Sequence, residues 1–375
     1  MQLSFLRPIC ARPGPWASVY LDASRDTHDA HAALDVRWRN LQERLAEQGT
    51  DRATLAALDD VVRGHEPMPG DYGLAAFATD GRVTLTEYLP APPLKDIAAY
   101  GPVAHTMPLV AQRRDQIPWV RVLTNRTGAE VTGVSAGGVP RHAHVKGGNQ
   151  WPIRKVDPGG WSQRHFQQGA QLSWQRNAGD AAAATAELAE RVGAEVIVIA
   201  GETRARQLLA DQLPEFWQDR MVQTDAGFLA AGADQGGLDD VTVQAIAEVA
   251  AAHTDVALDK FGMQQQVGEG LDAVVTALQR SQVDTMLIVD DPSSTEQLWI
   301  GPEPTDIALS ADELRAMSVA EPVRVRADAA LLRALSGTDA GVTVLDPDQA
   351  PDLTDGVGAV LRYVDASTPA GGGRG

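Results

Sequence analysis

Residues 195–200 read EVIVIA, in which five apolar residues follow Glu195 and four of them are β-branched, with no polar alternation. A short run of this kind belongs to a strand covered on both faces, so helices must lie on either side of the sheet that holds it. Its flanks meet that requirement. Strong helix formers fill 181–191 before it, and 203–213 returns as a helical segment ending at Pro214. A second buried run, DTMLIVD at 284–290, follows the amphipathic segment GEGLDAVVTALQR at 268–280. The fold class is therefore α/β.

The other elements follow from local pattern. A short strand is predicted at 18–22 after the turn residues Pro13-Gly14-Pro15, and a helix over 30–47 from the spacing of Ala33, Leu34, Val36, Trp38, Leu41 and Leu45. Thr50 or Asp51 caps a second helix containing Leu55, Leu58, Val61 and Val62. Segments 73–79 and 82–88 flank Asp80-Gly81, a two-residue hairpin turn, and 101–108 reads as a connection. A second hairpin joins 119–124 to 129–134. One long helix covers about 161–192, a short strand 221–225, and a helical connection 238–261. Beyond 284–290, residues 297–300 are expected to pair with that strand as an edge, 328–335 forms a helix, and 342–345 and 358–361 are closing strands. A chain of 375 residues exceeds one compact core, and the pattern divides it into 1–112, 113–252 and 253–366. The Pro/Gly-rich 367–375 is expected to be a disordered tail.

Charge narrows the functions. The chain carries a formal net charge of −18, which opposes unspecific binding to phosphate backbones and speaks against DNA as a partner. The charge is polarised. Residues 105–180 hold ten Lys/Arg against four acids, whereas 254–375 hold eight against twenty. No apolar run reaches the roughly 20 residues that span a bilayer, and Arg7, Pro8 and Arg12 interrupt the N-terminus as a signal peptide. No membrane partner is expected. The single cysteine, Cys10, excludes an internal disulfide and fits a reducing cytoplasm; it reads as a packed side chain. A monomer is expected.

The positive charge concentrates in 141–176, RHAHVKGGNQWPIRKVDPGGWSQRHFQQGAQLSWQR, where Asp157 is the sole acid. Trp151, Trp161, Phe166 and Trp174 are threaded between the cations. The pairs Gly147-Gly148 and Gly159-Gly160 allow close backbone approach to another surface, and the second pair opens directly into a helix whose free N–H groups favour phosphate. Lys146, Arg154, Lys155, Arg164 and His165 supply charge, and Trp161 a face for stacking. Two plainer arrangements use the same residues: an ordinary surface loop, and Trp161 packed beneath its own helix. Arg126, in the turn 125–128, reads first as a hairpin residue and second as a phosphate contact.

Catalytic signatures are missing. The sequence has no P-loop, HExxH or CxxC, and its GVSAG string at 133–137 runs from a predicted strand into the basic loop, not into a helix, so it is no nucleophile elbow. His142 and His144 share one face of a strand but lack a third ligand nearby, so no metal and no other cofactor is expected. Asp290-Asp291 at the end of an apolar strand reads as the start of an acidic loop.

Lys146-Gly147-Gly148 and the later GGWSQRHF at 159–166 resemble the central domain of the archaeo-eukaryotic peptide-chain release factors and Pelota, and 270–291 resembles their third domain. The resemblance spans most of 115–365 and includes the bacterial branch to which the hibernation factor Balon and its actinobacterial relatives belong. It implies an N-terminal α/β domain facing the decoding centre, a central RNase H-like α/β domain, and a C-terminal α/β domain of the ribosomal-protein L7Ae/L30e type. It also implies binding in the A site of the 70S ribosome against rRNA, as a tRNA mimic, with elongation factor Tu in company. The family's hydrolytic Gly-Gly-Gln is not kept: Trp161 stands after Gly159-Gly160, and Gln150 in GGNQ is out of register. The expectation is a ribosome hibernation factor that blocks translation under stress without being an enzyme. The alternatives are a rescue factor hydrolysing peptidyl-tRNA through Gln150, and a stress protein that binds another protein through its acidic segment.

Overall fold

The computed structural model describes residues 1–11, 14–24, 30–68, 70–114, 116–125, 128–136, 138, 140–146, 160–226, 236–264, 268–348, 350 and 353–363. Two compact units emerge. Residues 115–252 form one; residues 1–114 and 253–375 together form the other. No helix among the described residues is long and apolar enough to cross a membrane.

The first segment contains α1 (Arg7–Cys10), β1 (Trp16–Asp22), α2 (Ala30–Glu47), α3 (Arg52–Gly64), β2 (Gly73–Thr79), β3 (Arg82–Leu89), β4 (Ile97–Gly101) and α4 (Met107–Arg113). Its antiparallel sheet has the order β3-β2-β1-β4. Alternate residues of β1 enter different cores. Ala17, Val19 and Leu21 pack with Trp38, Leu41 and Leu58 of α2 and α3, while Trp16 and Tyr20 join the larger cluster on the other face. Asp51 caps α3, its carboxylate accepting from the Thr54 amide at 2.9 Å. Asp80 and Gly81 both take positive φ, 51° and 75°, as the tight hairpin turn requires. The stretch read as a bare connection holds the end of β4 and the start of α4, where Pro108 occupies the first turn that tolerates it.

The next segment supplies β5 (Trp119–Asn125), β6 (Gly128–Val134), β7 (Pro140–Lys146), α5 (Gly160–Val192), β8 (Val196–Gly201), α6 (Thr203–Ala210), α7 (Glu215–Gln218), β9 (Met221–Thr224) and α8 (Gly236–Met263). The five strands form one sheet in the order β7-β6-β5-β8-β9. β6 is antiparallel to both neighbours, and β5, β8 and β9 run parallel. Val196–Gly201 is buried along its whole length, as the apolar run demands. On one face Ile197 and Ile199 meet Leu188, Ala189 and Leu209 of α5 and α6; on the other Val196 and Val198 meet Leu238 and Ala245 of α8.

The last segment adds α9 (Leu271–Gln279), β10 (Val283–Val289), β11 (Gln297–Ile300), β12 (Ile307–Ala308), α10 (Ala311–Ala316), β13 (Val323–Arg326), α11 (Ala327–Gly337), β14 (Gly341–Leu345) and β15 (Val357–Leu361). β10 lies between β14, parallel, and β15, antiparallel. β11 therefore does not pair with β10. Both sides of β10 are occupied, and β11 instead centres a second sheet, β12-β11-β13.

The first ten residues belong to this C-terminal core. Leu3, Leu6, Ile9 and Cys10 are buried in one cluster with Leu331, Leu335 and Val342. Gln2 bridges to Gly341, and the Val342 amide donates to the Met1 carbonyl at 2.9 Å. Burial pushes the Cys10 thiol up to about 12, against the pull of nearby Arg333, so Cys10 is a packed side chain without thiolate character.

His105 precedes α4 with its ring edge-on to Tyr20, centroids 6.3 Å apart. Burial, the largest cause, holds its pKa below the ordinary 6.5; Asp328 opposes this and Arg326 adds to it. Between the lowered native value and 6.5 the unfolded chain binds a proton that the folded chain refuses, so stability falls with acid across that window. His105→Gln should flatten this part of the stability–pH curve in urea melts. An unchanged slope would show that His105 has no share in it.

Candidate nucleic-acid interface

The basic segment is built on two supports. β7 is an edge strand, paired to β6 from Val134↔Pro140 to Gly128↔Lys146. Arg141, His142 and His144 are exposed on it, while Ala143 packs against the core beneath α5. The charge of Arg141 on this edge strand discourages unwanted strand pairing. Thr132 Oγ1 lies 3.1 Å from His142 Nδ1. Among the described residues no group of three His, Cys, Asp or Glu could hold a metal.

The second support is α5. Its 33 residues make a helix of about 50 Å, whereas the seven-residue strands β5 to β7 span about 23 Å. The buried positions Ala178, Ala181, Ala182, Leu188, Ala189 and Val192 fasten its C-terminal half to the sheet. The first half outruns the sheet at the end where Asn125, Gly128 and Lys146 lie. The backbone thus leaves β7 at Lys146 and returns at Gly160 on the projecting helix.

Of the predicted contact residues, Arg126, Gly147, Gly148, Arg154, Lys155 and Gly159 lie outside the described residues. Lys146 ends β7, and Gly160, Trp161, Arg164 and His165 fall in the first turns of α5, with only their backbone described. What is described is the platform that carries them.

Electrostatics distinguish the cations of this unit. Arg121 pairs with Asp239, Arg191 with Glu187, and Arg206 with Asp225. Arg141, Arg176 and Arg204 form no ion pair among the described residues. Arg204, which sequence reasoning missed, lies 5.1 Å from the centroid of the Trp174 ring. Trp174 was visible as one aromatic of the basic segment, but its partner is 30 positions away in α6, beyond any local pattern. Elsewhere, Asp290 at the end of β10 is half-buried. Burial first, then Asp346, Asp328 and Asp291, raise its pKa against the pull of Arg114. Asp291 is exposed and accepts from the Ser293 amide at 2.9 Å, forming the expected loop start.

The fold defines a mixed α/β protein in which the described backbone brings both flanks of the glycine-rich, cationic segment, Lys146 and Gly160, to one end of a five-stranded sheet. Residues 118–267 match the family model of bacterial archaeo-eukaryotic release factor family 2. The matched segment contains β5 to β9 and the whole basic stretch. Two uncharacterised proteins from two strains of Mycobacterium tuberculosis are each 29% identical over 371 residues, covering 97% of this chain and 97% of theirs. Among solved structures, Dom34 of S. cerevisiae, a translation termination-like factor, is 10% identical with a TM-score of 0.36 over 80% of this chain and 81% of its own. Archaeoglobus fulgidus Pelota is 13% identical with a TM-score of 0.31 over 96% and 92%.

Proposed function

We propose that this chain is a ribosome-associated translation factor that occupies the A site of the 70S ribosome as a tRNA mimic and blocks translation without releasing peptide. The family match over 118–267 supports the ribosome as partner. The observation that carries the non-catalytic reading is Trp161 directly after Gly159-Gly160. The superfamily's release chemistry depends on an amide positioned there to orient water at the peptidyl-tRNA ester, and an indole offers no such amide. Trp161 instead supplies a stacking face, and Lys146, Arg154, Lys155 and Arg164 supply phosphate contacts. In this reading the basic stretch reaches toward the peptidyl-transferase centre, the protein acts in idle ribosomes under stress, and elongation factor Tu accompanies it. The setting is the cytoplasm.

The test combines pelleting and release. Purified protein should co-sediment with vacant 70S ribosomes at low salt and free no peptide from a stalled peptidyl-tRNA complex. Absence of co-sedimentation, with or without elongation factor Tu, sinks the proposal. Peptide release that disappears in Gln150→Ala would replace it with the rescue-factor reading.

A further inference from the structure

The basic segment is not alone at its end of the sheet. β5, β8 and β9 end there, with Thr124 and Asn125 closing β5 and Gly201 closing β8. Gly201 holds φ +124°, and a Cβ at this position would collide with the Thr124 carbonyl oxygen. Only glycine lets the two strand ends meet so closely. The Glu202 amide then donates to the same carbonyl at 3.1 Å, and α6 begins at once. This tight start sets Arg204 over Trp174 of α5, in a notch bordered by Thr124, Asn125, Ala178 and Leu208.

Comparison with the unit's other arginine–aromatic pairs shows what is different here. Arg121 lies 5.8 Å from the Trp119 ring and is also held by Asp239. Arg220 lies 3.8 Å from the Phe216 ring and also donates to the Phe216 carbonyl at 2.8 Å. Both are tied into the fold by a second bond. Arg204 is exposed, and among the described residues the Trp174 ring is its sole partner. Its N–H donors make no hydrogen bond among the described residues. A guanidinium backed by an indole is a stacking platform for a nucleobase.

We propose that the Arg204–Trp174 pair is a second RNA contact, taking an unpaired nucleobase on the exposed guanidinium. The inference rests on the reading of this chain as an RNA-facing ribosome factor and extends it to residues outside the glycine-rich loop. Glu202 stands at the same end of the sheet and disfavours phosphate there, while Asp225 is paired with Arg206. The site therefore selects the base face and leaves backbone contacts to the neighbouring loop.

Full-length protein is titrated with fluorescent oligoadenylate and, separately, with vacant ribosomes. Arg204→Gln should weaken oligoadenylate binding at least about fivefold, the lower end of a lost stacking contact, while the log–log salt slope changes by no more than about one. Trp174→Phe keeps a ring face and should stay within about twofold of wild type. An unshifted thermal melt for Arg204→Gln separates the effect from misfolding. Wild-type affinity of Arg204→Gln for both oligoadenylate and ribosomes overturns the proposal. Failure of the wild type to bind ribosomes, together with Arg204-dependent binding of oligoadenylate, would overturn the ribosome reading and leave the RNA contact standing.

Discussion

Reversing four charges, Lys146→Glu, Arg154→Glu, Lys155→Glu and Arg164→Glu together, is expected to abolish retention on vacant ribosomes at physiological salt. Four phosphate contacts alone steepen the fall in affinity between 50 and 200 mM salt by a factor on the order of 100 through counterion release. Carboxylates in their place add repulsion in a chain already at −18. Sedimentation across a salt series measures this directly: the wild type should show a steep log–log slope, and the variant no specific binding. A variant that pellets like wild type would mean that the basic stretch is an ordinary surface loop. The acidic protein-binding reading would then take precedence.

Leu6→Ala should be the most damaging single truncation near the N-terminus, lowering stability by about 3–5 kcal/mol, the cost of emptying a fully buried leucine site. Leu6 has no exposed surface and sits in the cluster that includes Leu331, Leu335 and Val342. Denaturant titration should show a lowered midpoint with an unchanged slope for the unit containing residues 1–114 and 253–375. A loss below about 1 kcal/mol would show that the N-terminal segment is only laid against that core.

Features set by neighbours in sequence were legible from sequence. The hairpin over Asp80-Gly81, the Asp51 cap and the buried strand Val196–Gly201 each depend on residues a few positions apart, and each stands where the pattern puts it. The strand pairing of Gln297–Ile300 did not follow the pattern. A four-residue run with three apolar side chains says that it needs partners, not which ones, and β14 and β15 had already taken both sides of β10. The burial of Leu3, Leu6 and Ile9 against α11 was hidden for a related reason: their partners lie more than 300 residues away. Of the candidate site, the cation-rich run between two glycine pairs was plain in the sequence. The Arg204–Trp174 stack was not, because the fold alone brings α6 under α5.

The packing of Leu3, Leu6 and Ile9 has a consequence for how the chain is made. At roughly 5–20 residues per second, a ribosome needs about 17–70 s to progress from Leu6 to Val342. Leu3, Leu6 and Ile9 thus wait through that interval for their partners, while the contiguous 115–252 unit can complete its sheet. A nascent chain arrested shortly before β14 should expose its N-terminus to protease and protect its central unit.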